Sequence, residues 1–285
     1  MVAQVITPTA IDLALLQPET AVSKLLLAAE AGGRAILASS FVAPEVKFDG
    51  SPVTIADVAS DAAIRSVLHR EFGDIQIISE EALSHDIAFD GDQPFVLVDP
   101  LDGTKDYASG SGEYAVCVAL VVKRRPVAGV ILAPSWRRAW TGGTEAHEIE
   151  LSETLEPLTG GSRVIHVNRQ SSAPVLLRSQ FHRCALAEQL MQIMPGATVR
   201  GMGAALKFGL LANGEATLYP RDVGSMEWDT AAGEAILNAA GGVLIGRTGG
   251  IKLYGKADKG FANGPFIAGC SEEVVEQART QCSAF

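Results

Sequence analysis

Cysteine is scarce in this chain of 285 residues, and the four present, Cys117, Cys184, Cys270 and Cys282, never fall at Cys-x-x-Cys or Cys/His spacing. That speaks against a zinc ribbon, a dithiol redox motif and a disulfide scaffold, and leaves four reduced, structural thiols. No apolar run reaches the roughly 18 residues that a membrane-spanning helix needs. Positive charge is also short, with 23 Lys and Arg against 33 Asp and Glu, a formal net charge of −10. The basic footprint of a protein that binds a nucleic-acid polymer is therefore missing, although a small anion held by local cations and metal ions is still compatible. Residues 1–19 lack a basic n-region followed by an apolar h-region, so a cytoplasmic location is expected. None of the five histidines (His69, His85, His147, His166, His182) stands in an Arg-His-Gly-type motif, and they read as surface or hydrogen-bonded polar residues.

What is present is a chain with 47% hydrophobic and 20% charged residues, the balance of a soluble globular protein. No linker, repeat or low-complexity tract divides it, so we expect one compact unit with two packed halves, residues 1–160 and 161–285. Apolar spacing predicts helices over 20–39 and 57–72, with short strands at 75–78 and 95–98. From Glu113 to Trp140 alternation and turns predict a β-meander, with Lys123-Arg124-Arg125 as a solvated hairpin turn. Residues 145–162 are polar and Gly-rich. Beyond them the pattern predicts a strand at 163–167, a helix over 175–194, a helix at 204–213 and a strand at 215–219. A helix opened by Trp228-Asp229-Thr230, a last strand at 265–268 and a terminal helix follow. This mixture gives an α/β or α+β fold, with helices layered between two sheets.

The stretch with most chemistry is Phe95 to Thr104, an apolar run that ends in Asp99-Pro100-Leu101-Asp102-Gly103-Thr104. Two like charges three residues apart at a strand's mouth call for a cation, and magnesium suits them as a hard ion that takes oxygen ligands. Gly103 and Thr104 offer backbone N–H groups and a hydroxyl for an anion. Asp57, Glu80 and Asp229 each fall at the end of a predicted element too. Any one of them alone reads as a helix cap or a solvated loop acid; together they would repel unless they shared cations.

Ser51-Pro52-Val53-Thr54-x-x-Asp57, Ser79-Glu80-Glu81, Asp99 to Thr104 and Trp228-Asp229-Thr230-Ala231-Ala232-Gly233 occur in the order found in the inositol monophosphatase superfamily, which the chain resembles from about residue 20 to 270. Asp99 to Tyr107, Gly203 to Phe208 and Leu218-Tyr219-Pro220-Arg221 make it most similar to the bacterial 3'(2'),5'-bisphosphate nucleotidase branch, the CysQ type. The resemblance implies a layered αβαβα sandwich of the inositol monophosphatase/fructose-1,6-bisphosphatase type. It also implies a site with two or three Mg2+ ions. Glu80, Asp99 and the Leu101 carbonyl would hold one; Asp99, Asp102 and Asp229 would hold a second. Asp57 and Thr104 would activate water, and Gly103 and Thr104 would bind the scissile phosphate.

The substrate implied is a small phosphomonoester, adenosine 3',5'-bisphosphate, cleaved to AMP and phosphate, with lithium sensitivity and a place in sulfur metabolism. Inositol monophosphatase or a related sugar-phosphate phosphatase is the alternative. Besides the acids Glu80, Asp102 and Asp229 and the Leu101 carbonyl, the substrate side is expected to use Lys105, Arg169, Arg221 and Asp222. Arg221 is the preferred second-phosphate ligand, while Asp222 leans towards the inositol phosphatases, which place a sugar-binding acid there. Two further departures from the nucleotidases are Val167-Asn168-Arg169-Gln170-Ser171 in place of Ser-Arg-Ser-His, and Ala204-Ala205 in place of Ser-Ser. The sequence leaves open the oligomeric state and any peripheral attachment to the cytoplasmic face of an inner membrane.

Overall fold

The structure, a computed structural model, describes residues 13–39, 45–46, 52–83, 89–169, 173–181, 183–194 and 196–282. Helix α1 (Pro18–Ala38) starts on a proline, whose fixed φ and missing N–H suit a first turn, and buries Ala21, Leu25, Ala29 and Ile36. A two-stranded antiparallel pair, β1 (Glu45–Val46) and β2 (Pro52–Val53), leads into α2 (Ile55–Phe72). Both helices lie where the apolar spacing predicts them.

The larger sheet has seven strands in spatial order β3 (Gln76–Ser79), β4 (Phe95–Asp102), β5 (Ala115–Val122), β6 (Arg125–Ala133), β7 (Arg138–Gly142), β8 (Ala146–Leu151) and β9 (Pro157–Val164). Only β3 and β4 run parallel; the rest form the expected meander, which extends to Val164. A short helix, α3 (Thr104–Ser109), links β4 to β5. The β5–β6 turn holds Lys123 and Arg124 at φ 50° and 61°, the positive values that tight hairpins demand. It is not simply solvated, as the sequence suggested. Arg125 Nη2 pairs with the buried Glu234 Oε1 at 3.1 Å, and Arg124 Nη2 donates to the Gly255 carbonyl at 3.5 Å.

The second half departs more from expectation. In place of one helix over 175–194 there is a strand, β10 (Val175–Arg178), and then a shorter helix, α4 (Ala185–Ile193). The chain continues through β11 (Thr198–Gly201), α5 (Leu206–Ala212), β12 (Leu218–Arg221), α6 (Ala231–Ala239), β13 (Val243–Gly246), β14 (Phe266–Gly269) and α7 (Glu272–Gln281). These strands build a five-stranded sheet ordered β11-β10-β12-β14-β13.

Three apolar clusters set the layers. One joins α1 and α2 to Val96, Val98, Val116 and Val118 of the large sheet. The second joins the opposite face (Cys117, Ala119, Ile131, Trp140) to α5, α6 and the small sheet's Tyr219 and Phe266. The third packs α4 and α7 on Leu176, Leu218 and Ile267. The result is an αβαβα sandwich. Gly142 permits α6 to lie directly on the large sheet, since a Cβ there would come within 2.3 Å of Ile236 Cα. Among the described residues no helix is long and apolar enough to cross a membrane.

Candidate active site

In an unbroken strand, residues three apart point to opposite faces. Asp99 and Asp102 nonetheless line one cleft, because β4 carries an extra residue between them. Asp99 pairs with Cys117 and Asp102 with Ala115, two residues apart on β5, so the bulge restores both acids to the same side. Pro100, which has no N–H to give the ladder, sits in that bulge, and its carbonyl accepts from Ser60 Oγ at 2.7 Å. Leu101 N donates to Asp99 Oδ1 at 3.1 Å. Gly103 then takes φ 91°, and a Cβ there would meet Ala204 Cβ and the Glu113 carbonyl at 3.2 Å, which explains a glycine at the turn into α3.

Asp57 lies beside this strand end. It is the third residue of α2 and closes a capping box: Thr54 N and Thr54 Oγ1 donate to Asp57 Oδ2 at 2.7 and 2.6 Å. Its other oxygen accepts from Thr104 Oγ1 at 3.2 Å, so cap and site partner are one side chain. Glu80 follows β3 in a 3-10 turn. Asp229 precedes α6, and its Oδ2 accepts from Met226 N at 2.9 Å. That loop is itself clamped. Glu227, fully buried, accepts from Gly255 N at 2.6 Å, Lys256 N at 3.0 Å and Lys256 Nζ at 2.7 Å. Asn263 Nδ2 donates to Thr230 Oγ1 at 2.5 Å.

The cleft, about 210 Å³, is lined by Glu80, Asp99, Leu101, Asp102, Gly103, Thr104, Lys105 and Asp229, and by Lys207 and Arg221 across from them. Burial, and after it the charges of Glu80, Asp102, Asp229 and Asp57, drive the Asp99 carboxyl far above its ordinary pKa. Burial and Asp102 push Asp229 up to about 7, against the pull of Arg221. Asp102 is also raised by burial, with Lys207 and Arg221 opposing. Such a set binds either protons or cations. Among the described residues no three His, Cys, Asp or Glu side chains are already closed into a metal cage. The donors are nonetheless all hard oxygens facing one space, with Asp99 and Leu101 buried and Glu80, Asp102 and Asp229 partly buried, and they fit Mg2+.

Two of the expected substrate residues lie elsewhere. Arg169 does not line the cleft; its Nη2 donates to the Gly241 carbonyl at 2.6 Å, because residues 165–169 run past the end of α6, where Val167 N donates to the Ala240 carbonyl. Ser179, directly after Arg178 at the end of β10, does line the cleft. Asp222 faces α4: its Oδ2 accepts from Leu186 N at 3.4 Å, and it lines a small recess next to the cleft with Arg183 and Cys184. A free helical N–H has claimed the acid that leaned towards an inositol substrate. His85 and His182 lie outside the described residues.

Lys207, Ser179 and Phe181 line the cleft without having been singled out by sequence. Lys207 is buried on α5, where its ammonium donates to the Met202 and Ala204 carbonyls at 3.0 and 2.5 Å and lies 5.0 Å from the Tyr219 ring centre. Arg221 donates to Tyr219 Oη at 3.5 Å and the Gly224 carbonyl at 3.3 Å, while its buried Nε has no acceptor. Burial opposes the guanidinium charge, but Tyr219, Asp229 and Asp102 outweigh it and hold Arg221 protonated.

A model of the inositol monophosphatase family matches residues 19–280, nearly the whole chain. The chain belongs to the inositol monophosphatase family. Within this family, it is 32% identical over 250 residues to the 3'(2'),5'-bisphosphate nucleotidase CysQ of Buchnera aphidicola, covering 86% of this chain and 92% of that one. The CysQ of Salmonella typhimurium is 37% identical over 196 residues, 68% of this chain and 76% of that one. Among solved structures, CysQ from Bacteroides thetaiotaomicron superposes with a TM-score of 0.75 at 27% identity, over 90% of this chain and 98% of that one. An inositol monophosphatase from Anabaena, with a TM-score of 0.71 over 94% of this chain and 98% of that one, shares the fold at 23% identity. Enzymes of the family are generally metal-dependent.

Proposed function

We propose that this chain is a Mg2+-dependent phosphomonoesterase that removes the 3'-phosphate of adenosine 3',5'-bisphosphate, releasing AMP and inorganic phosphate. The observation that carries this is the convergence, on one cleft, of the acids Glu80, Asp99, Asp102 and Asp229 with the cations Lys105, Lys207 and Arg221. A monophosphate needs the first group; a bisphosphate uses both. The buried, unpartnered Nε of Arg221 favours the bisphosphate, since a phosphate oxygen would complete it. The CysQ relatives carry the same activity in their names.

In this reading Glu80, Asp99, Asp102, Asp229 and the Leu101 carbonyl hold Mg2+, and the metal supplies charge neutralisation for the phosphate, an acidified water and stabilisation of the departing alkoxide. The chain's own residues do the rest. Asp57, pinned by Thr54, accepts from Thr104 Oγ1, which leaves the hydroxyl's lone pairs to orient the attacking water. As water attacks phosphorus and the P–O3' bond breaks, the water's proton passes to Thr104 Oγ1 while the Thr104 proton passes to Asp57, and the departing 3'-oxygen takes a proton from solvent water to give the AMP hydroxyl. The backbone N–H groups of Gly103 and Thr104 steady the scissile phosphate, and Lys105 attracts it. Arg221 and Lys207 hold the second phosphate. Competition by lithium at a Mg2+ position is expected.

The test is phosphate release from adenosine 3',5'-bisphosphate, inositol 1-phosphate and fructose 1,6-bisphosphate at one Mg2+ concentration. The nucleotide should have the highest kcat/KM; preference for either sugar phosphate rejects the reading.

A further inference from the structure

Four aromatic rings line the cleft, Phe181, Phe208, Tyr219 and Phe266. Three are committed to the core. Phe208 packs against Tyr219 and Phe266 with ring centres 5.4 and 5.9 Å apart, Tyr219 and Phe266 are 5.1 Å apart, and all three are at most 3% exposed. Phe181 is different. It is 51% exposed, and among the described residues no aromatic ring packs against it. It stands in the loop between β10 and α4, two residues after Ser179, so the small sheet carries it to the cleft.

The remaining rim groups recognise charge. Lys105, Lys207 and Arg221 suit phosphate oxygens and give no preference for an aromatic base over a hydroxylated ring. A heteroaromatic base needs a flat apolar face, and Phe181 is the exposed one among the described residues lining this cleft. We propose that Phe181 is the specificity-determining residue for the nucleoside, with the substrate's base stacked on its ring. This rests on the nucleotidase reading above. Stacking acts before and during the reaction alike, so it lowers KM and leaves kcat alone.

The experiment compares adenosine 3',5'-bisphosphate with ribose 3,5-bisphosphate, which keeps both phosphates and the sugar but has no base. In the unaltered enzyme the nucleotide should have a KM roughly 5- to 150-fold lower, the range that one base stacked on an aromatic ring provides. Phe181→Ala should raise the nucleotide's KM to the abasic value, with kcat and the abasic KM unchanged, and Phe181→Tyr should restore it. Because the side chain is half exposed, folding is not at stake, and a thermal unfolding curve for each variant checks this. If Phe181→Ala leaves the nucleotide's KM as it was, or raises both KM values alike, the stacking assignment is wrong while the nucleotidase reading stands. If the unaltered enzyme prefers inositol 1-phosphate to both bisphosphates, the nucleotidase reading fails and the assignment falls with it.

Discussion

The floor and the rim of the cleft are built in opposite ways. Three of the floor acids are fixed by backbone within a few residues of themselves, Asp57 by Thr54, Asp99 by Leu101 and Asp229 by Met226, while Asp102 takes its backbone hydrogen bond from the distant Ala205. The rim residues Lys105, Phe181, Lys207 and Arg221 come from α3, a loop, α5 and β12, and meet only because two sheets close on the same helices. Chemistry is thus encoded locally, and substrate choice by tertiary packing. A change in the floor should affect every substrate equally, whereas a change in the rim should affect some and spare others.

Asp99→Asn tests the floor most severely. It should lower kcat at least about a thousandfold for bisphosphate and monophosphate alike, because it removes the acid expected to bridge the metals. Without Mg2+ the variant should unfold at the same temperature or higher, since it removes a buried carboxyl that, without a cation, must either carry an unfavourable charge or take up a proton. A loss confined to one substrate would break the division between floor and rim. Arg221→Ala comes next: removing a charged hydrogen-bond donor is worth about 1.5–3 kcal/mol, so kcat/KM for the bisphosphate should fall roughly 10- to 150-fold, with inositol 1-phosphate little changed. Equal losses would place Arg221 in the floor.

Glu227→Gln sharpens the boundary, because Glu227 does not line the cleft but clamps the loop that carries Asp229. The Mg2+ concentration for half-maximal activity should rise about tenfold, the low end of what supporting residues around a metal contribute, with selectivity between substrates preserved.

The smallest effect is on stability against pH. Burial and the Asp102 charge push the Asp229 carboxyl up to about 7 in the folded chain, against an ordinary value of 3.8, so the folded state holds its proton more tightly. The stability this gives the metal-free protein is complete below pH 3.8 and is lost as the pH climbs through 7. Thermal unfolding without Mg2+ should show the decline, and the stabilisation by added Mg2+ should grow over the same interval.

The same contrast explains what the sequence made legible. The floor acids could be read because each falls at the end of a regular element and their motifs together resemble one family, although an apolar run closed by Asp-Pro-x-Asp-Gly-Thr reads, taken alone, as a solvated turn. What the linear text hides is the bulge at Pro100 and Leu101 that turns Asp99 and Asp102 to the same side. The rim resisted for a different reason. Val175-Leu176-Leu177 is a short strand buried within a sheet, and such a run cannot be told by periodicity from the start of a buried helix. Merging it with α4 hid the loop that brings Ser179 and Phe181 to the cleft and left Arg169 as the arginine in view. Lys207 reads as an ordinary helical lysine until the small sheet covers it. Arg124 and Arg125 looked solvated because their partners in space, the Gly255 carbonyl and Glu234, each lie more than a hundred residues away in the chain.

That the floor takes a cation is tested most directly by calorimetric titration of Mg2+ into the metal-free protein at a pH above 7, alongside Asp99→Asn. Saturable binding by the unaltered chain, lost or strongly weakened in the variant, is the predicted result. Equal binding by both proteins, or no binding by the unaltered chain at millimolar Mg2+, would contradict it.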